Sequence, residues 1–199
     1  MAGALGVLGG AFNPPHVGHL LLAQEASWQL ELEELLLVTT GEAPHKQIED
    51  DPGAEVRLEM TKLAAETADG VEASALEVER DGPSYTYRTL ELLSERHPGR
   101  ELFFLLGADM AAGLASWEKP ERVTELARLG VVPRSGVGMG AVQSALERFG
   151  AADRAEIIEM PLCGVSSTLI RERAAAGRPL QHLVPDPVAR LIAAEALYR

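Results

Sequence analysis

The stretch Leu5-Gly6-Val7-Leu8-Gly9-Gly10-Ala11-Phe12-Asn13-Pro14-Pro15-His16-Val17-Gly18-His19-Leu20-Leu21-Leu22 constrains this chain more than any other. The apolar run Leu5 to Leu8 predicts a short buried strand. Gly9 and Gly10 then allow a tight turn and let a ligand approach the bare main chain. Pro14 and Pro15 fix the loop and suit the entry to a helix. His16 and His19 stand three positions apart, so on a helical turn their imidazoles share one side, and Gly18 between them removes a side chain. Exposed N–H groups, a helix N-terminus and two imidazoles therefore gather after the end of a strand. Such a set suits a phosphate, because the first N–H groups of a helix lack partners and its dipole favours negative charge.

Composition narrows the function. At 199 residues the chain reads as a single domain, 1–199, with residues 166–199 a C-terminal helical part, and it is long enough for a sizeable core. The net charge of −12 argues against broad nucleic-acid or anionic-membrane binding, which needs a basic surface. It leaves a local anion site possible through a few cations and helix N-termini. The single Cys163 excludes an internal disulfide and fits a reducing compartment, so the expected location is the cytoplasm. The N-terminus lacks the basic start of a signal peptide, and no apolar run reaches the ~20 residues of a membrane span.

Strands and helices alternate along the chain. Leu20 to Gln29 continues the first helix, and Leu35 to Val38 predicts a second parallel strand, completing a βαβ unit. Residues 41–53 read as a polar loop, 54–68 as a helix, and Val71 to Val78 as a strand from its alternation. Tyr85 to Arg96 reads as a helix, and Leu102 to Leu106, the most apolar run, as a central strand. A helix over 120–127, a strand over 129–132, a loop over 134–138, a helix over 141–149 and a strand at Ile157-Ile158 follow. Ser166 or Ser167 caps a helix that ends at Gly177, and a helix over 187–197 closes the pattern. The fold class is α/β: a single-domain, Rossmann-like open parallel sheet with helices on both faces. Ligands in such sheets sit beyond the strand C-termini.

Several residues carry candidate chemistry, each with a plainer alternative. Phosphoryl chemistry needs donors on the oxygens that gain charge in the transition state. His16 and His19 can supply them, at least one as a neutral donor. Lys46, in Ala43-Pro44-His45-Lys46, is either a solvated surface lysine or a triphosphate ligand on a loop. Ser166-Ser167-Thr168 followed by Arg171 is either an ordinary cap with a surface arginine or a second anion site. Asp109, after Gly107-Ala108, is an N-cap, a ribose ligand or a group near Mg²⁺. Trp117 is core or a stacking platform for a flat heterocycle. Main-chain groups at Tyr85 and Thr86 can read a carboxylate.

The run Gly-Gly-Ala-Phe-Asn-Pro-Pro-His-Val-Gly-His resembles the signature of the HxGH nucleotidyltransferase superfamily. Further spaced segments sharpen the likeness: Pro44-His45-Lys46, Ser84-Tyr85-Thr86 with Thr89-Leu90, Gly107-Ala108-Asp109, Ser116-Trp117, Ser166-Ser167-Thr168 with Ile170-Arg171, and Leu183 to Val188. Together they are similar to those of the bacterial nicotinate mononucleotide adenylyltransferases. That resemblance implies transfer of AMP from ATP to nicotinate mononucleotide, with Mg²⁺, giving deamido-NAD and pyrophosphate. It implies that His16, His19, Lys46 and Arg171 act on the phosphates. Gly9, Gly10, Ala11, Phe12, Gly107, Asp109, Ser166, Ser167 and Thr168 would bind ATP. Asn13, Lys46, Tyr85, Thr86 and Trp117 would meet the second substrate, with no metal held by the protein alone. Two positions depart from the family pattern: Asn13 stands where Asp is usual, and Tyr87-Arg88 where an apolar residue and Asp are common. The rival readings are another transferase of the superfamily, acting on phosphopantetheine or with CTP, and a non-catalytic nucleotide sensor. The expected partners are small molecules, without nucleic acid or membrane, and assembly into a homo-oligomer stays open.

Overall fold

The computed structural model describes residues 3–44, 47–134 and 136–199. In chain order the elements are β1 (Ala4–Gly10), α1 (Val17–Gln29), β2 (Leu32–Thr39), α2 (Ala54–Ala65), β3 (Val71–Ser74), α3 (Thr86–Arg96), β4 (Leu102–Gly107) and α4 (Ala108–Ala112). They continue with α5 (Pro120–Leu126), β5 (Arg128–Val132), α6 (Met139–Arg148), β6 (Ala155–Ile157), α7 (Ser167–Ala175) and α8 (Asp186–Ala194). The strands form a six-stranded open sheet in the order β3-β2-β1-β4-β5-β6. The pairs β1–β4, β4–β5 and β5–β6 are parallel. This is the doubly wound order, which reverses beside β1, so the loop leaving β1 starts where such folds carry ligands. Among the described residues no helix is long and apolar enough to cross a membrane.

The chain divides into two compact units. One comprises Met1–Gly9, Glu25–Leu35 and Tyr85–Met160. Its centre is β4, whose Leu102 to Leu106 are all buried, as a strand flanked on both sides requires. The other comprises Gly10–Gln24, Leu36–Ser84 and Pro161–Arg199. There Met60 and Ala64 of α2, Ile170 and Ala174 of α7, and Val188 and Ile192 of α8 share one apolar cluster. Leu197 and Tyr198, just past α8, pack against the same cluster.

Three expectations change. The strand predicted over 71–78 ends at Ser74. The chain turns there, the Glu79 N–H donating to the Ala75 carbonyl at 2.9 Å, and Leu76 and Glu77 are both buried, which breaks the alternation. No helix was placed between the central strand and residue 120, yet Ala108–Ala112 forms α4. A helix of five residues is too short to show a period. The last strand covers Ala155–Ile157 rather than 157–158, although the Ile158 N–H still donates to the Val131 carbonyl at 2.9 Å.

Candidate active site

The loop between β1 and α1 starts with a left-handed Phe12, φ 49, a conformation costing a non-glycine residue about 1 kcal/mol. Burial of its ring offsets that cost, for Phe12 is 2% exposed and meets His19 edge-on, with ring centroids 5.0 Å apart. The Asn13–Pro14 bond that follows is cis. His16 closes the loop, its carbonyl accepting from the His19 N–H at 2.9 Å.

The two imidazoles come together as their spacing predicts, centroids 3.9 Å apart and planes inclined by 32°. His19 Nδ1 accepts from the His16 main-chain N–H, and His16 Nδ1 accepts from the Gly18 N–H, both at 3.2 Å. A ring nitrogen that accepts carries no proton, so in the neutral ring the proton is on Nε2. Both rings are thereby oriented as Nε2 donors. Gly18 serves His16 itself: a Cβ there would lie 3.0 Å from the His16 ring and 3.2 Å from Cys163 Sγ.

A cavity of about 360 Å³ lies beside this loop. It brings together the expected Ala11, Phe12, Asn13, His19, Ser167, Thr168 and Arg171. Lys46 and its neighbour His45 lie outside the described residues. At α7 the serines divide their work. Ser166 is the N-cap, its Oγ accepting from the Leu169 N–H at 3.2 Å, while the Ser167 hydroxyl donates to the Pro14 carbonyl at 2.9 Å. Thr168 is exposed on the cavity. Arg171 is 9% exposed and is already engaged. It donates to the Asn13 carbonyl at 3.2 Å, to Asp50 at 3.2 Å and to Glu49 at 3.3 Å.

Two residues here escaped sequence reasoning. Arg57 of α2, wholly buried, donates to the carbonyls of Ala11 (2.9 Å), Thr40 (2.6 Å) and Gly41 (3.2 Å) and pairs with Asp51 at 2.8 Å. It fastens the loops that follow β1 and β2. The signal was present: Arg57, Thr61 and Ala64 fall on one helical face that is otherwise apolar. Tyr198 is the second, its hydroxyl donating to Asn13 Oδ1 at 2.7 Å. Nothing in the sequence around Tyr198 announces that bond across 185 positions.

The remaining candidates belong to the other unit. Gly107 occupies the N-cap of α4, which corrects the reading of Asp109 as the cap. Asp109 lies in the first turn, exposed, and Arg134 Nη1 donates to its carboxylate at 3.4 Å. Trp117 is half-buried with its ring edge-to-face with Phe104, centroids 5.8 Å apart. Tyr85 is the N-cap of α3 and gives it no side-chain cap, and Thr86 opens the helix. Gly9 is half-buried near the end of β1.

A glycine-turned strand leading to a helix N-terminus with paired imidazoles, on a doubly wound sheet, defines a nucleotide-binding α/β protein. A family model described as cytidylyltransferase-like matches residues 7–173. The nicotinate-nucleotide adenylyltransferase of Bacillus subtilis (strain 168) is 37% identical, covering 98% of this chain and 97% of its own. A probable nicotinate-nucleotide adenylyltransferase of Roseiflexus sp. (strain RS-1) is 41% identical, covering 98% of each. The chain belongs to the cytidylyltransferase-like family and, within it, to the nicotinate-nucleotide adenylyltransferases. Its fold matches the Plasmodium falciparum nicotinic acid mononucleotide adenylyltransferase complexed with NaAD, with a TM-score of 0.78, 18% identity, and coverage of 99% of this chain and 98% of that one.

Proposed function

We propose that this chain transfers AMP from ATP to nicotinate mononucleotide, giving deamido-NAD and pyrophosphate in NAD biosynthesis. The observation that carries the reading is the pair of Nε2-donor imidazoles stacked 3.9 Å apart before and on the first turn of α1, in a chain aligned along its length with nicotinate-nucleotide adenylyltransferases. A phosphate oxygen of the mononucleotide attacks the α-phosphorus of ATP, and the bond from that phosphorus to the bridging oxygen breaks as pyrophosphate leaves. The acceptor is itself an anion, so the protein needs no nucleophile of its own. Its work is positioning and stabilisation of the charge that spreads over the phosphate oxygens.

The reading assigns His16 and His19 to those oxygens, with Lys46 and Arg171 assisting. Arg171 presents a fork suited to phosphate, beside the N-terminus of α7 and the Thr168 hydroxyl. Gly107 and Asp109 are assigned to the adenosine part, and Thr86 and Trp117 to the nicotinate. The lack of a side-chain cap from Tyr85 supports the carboxylate role, since the first N–H groups of a helix look outward for acceptors. Mg²⁺ would come with ATP as substrate, and the chemistry it would supply is neutralisation of phosphate charge. Among the described residues no group of three metal-ligating side chains is gathered, and Glu49 and Asp50 are engaged by Arg171. A cation held mainly by phosphates and water fits that donor set.

The test is pyrophosphate release from ATP and Mg²⁺ with nicotinate mononucleotide, its amide counterpart and phosphopantetheine side by side. Turnover with the acid and little with the others is expected. Preference for phosphopantetheine, or no release with any acceptor, sinks the reading. His19→Ala is expected to cut turnover by about 10²–10³-fold without a change in circular dichroism, the loss typical of one oriented oxyanion donor. Turnover within threefold of the parent would remove His19 from the chemistry.

A further inference from the structure

The bond between Tyr198 and Asn13 has a fixed direction. Asn13 Nδ2 donates to the Glu49 carbonyl at 2.7 Å, and a carbonyl only accepts. Oδ1 therefore faces Tyr198 and receives the proton of its hydroxyl, at 2.7 Å. Burial pushes the Tyr198 phenol above the ordinary tyrosine range, an effect that Arg171 opposes and Asp51 reinforces, so the donor keeps its proton near neutrality. Asn13 is 3% exposed, and each end of its amide is used. Its main-chain carbonyl is used as well, by Arg171, which also holds the carboxylates of Glu49 and Asp50. One buried amide thus joins Tyr198, on the far side of α8, to the segment that begins three positions after Lys46.

We propose that Tyr198 is a positioning residue for ATP: by turning the Asn13 amide toward Glu49, it sets residues 49–51 and Arg171 in the arrangement that receives the triphosphate. The proposal rests on the reading of this cavity as the triphosphate site. It also accounts for asparagine where relatives' Asp was expected. Only an amide accepts from a phenol at one end and donates to a main-chain carbonyl at the other. A carboxylate at position 13 would still accept from Tyr198 but would set an oxygen against the Glu49 carbonyl.

The effect falls on binding rather than on the bound complex. Without the hydroxyl, the receptive arrangement is one of several, and apparent affinity drops by the fraction lost. One net hydrogen bond, about 1 kcal/mol, corresponds to about fivefold.

The experiment uses four full-length proteins: parent, Tyr198→Phe, Asn13→Asp and the double variant. ATP dissociation constants come from calorimetry, KM and kcat from pyrophosphate release, and amide exchange is followed at residues 47–51. Tyr198→Phe is expected to weaken ATP about fivefold with kcat within twofold of the parent, and to speed exchange in the segment. On the Asn13→Asp background the same change is expected to weaken ATP less than twofold, because the relay to Glu49 is already broken. Equal weakening on both backgrounds overturns the proposal, since the hydroxyl would then act elsewhere. Unchanged affinity and exchange overturn it too, as does a loss confined to melting temperature and kcat, the mark of a merely structural residue. If the parent binds ATP yet releases no pyrophosphate with nicotinate mononucleotide, the functional reading falls, and the binding and exchange measurements still decide the role of Tyr198.

Discussion

Arg57 donates to the main-chain carbonyl of Thr40 at 2.6 Å, and the same nitrogen reaches the carbonyl of Ala11 at 2.9 Å. One buried guanidinium therefore ties together the chain leaving β1 and the chain leaving β2, with Gly41 and Asp51 completing its partners. Arg57→Met keeps much of the stem but strands three carbonyls and a carboxylate. Losing one member of a buried, charge-assisted set costs about 3–5 kcal/mol. At this chain length the melting temperature is expected to fall by roughly 6–20 °C. Asp51→Asn is expected to cost far less, because the Asp51 side chain is 32% exposed and water can replace its share. Melting curves of the two variants decide the matter, and an Arg57→Met protein as stable as its parent would show that these bonds contribute nothing net.

The carboxylates of Glu49 and Asp50 hold Arg171 in the same place a triphosphate is proposed to use. Their side chains are 68% and 67% exposed, and an ion pair so open to water is worth about 1 kcal/mol at most. Pairs this weak orient the guanidinium without opposing a ligand that carries several charges. Glu49→Gln and Asp50→Asn are each expected to change ATP affinity by less than about fivefold, measured by calorimetry. Arg171→Lys should weaken ATP more than either, since an ammonium cannot serve three acceptors in fork geometry. The reverse ranking would mean that the acidic segment, not the arginine, governs binding.

Gly41 follows Thr40 directly beneath the turn that replaces the second half of the expected third strand. A Cβ at Gly41 would strike the main-chain carbonyl oxygen of Glu77. A carbonyl cannot swing aside as the end of a flexible side chain can. Gly41→Ala is expected to cost about 1–3 kcal/mol, the usual penalty for overpacking. Gly164→Ala is the control, for a Cβ there meets nothing within 4 Å, and it should unfold at the parent's denaturant concentration. A Gly41→Ala protein indistinguishable from that control would show that the turn yields.

What the sequence made legible was whatever depends on neighbours along the chain. The apolar runs at Leu5–Leu8 and Leu102–Leu106 became strands, because a buried strand needs little more than a short run of apolar side chains. His16 and His19 met because helical spacing alone brings them together. Ser166 capped α7, and Gly177 follows it with φ 63, the left-handed geometry that ends helices. Long-range hydrogen bonds stayed hidden. Helical pattern places Arg57 on an apolar face and offers Arg171 as an anion ligand, but only the folded chain shows their acceptors to be carbonyls of Ala11, Thr40, Gly41 and Asn13. The same holds for Asn13. The sequence marked it only as a departure from the family pattern, whereas the structure uses its amide at both ends.

The unit that carries the imidazole pair is assembled from residues 10–24, 36–84 and 161–199, and so from three separate stretches of one chain. A ribosome makes those stretches in order. When the histidine loop emerges, α7 and α8 do not yet exist, and the apolar faces of α2 that will meet them have nothing to cover them. Asn13 waits for a partner 185 positions downstream. The unit that carries the candidate imidazole pair therefore cannot mature until residue 198 has been made. A pause, a nick or a chaperone acting before residue 198 is in place would leave its loops open while the β4 strand of the other unit is already made.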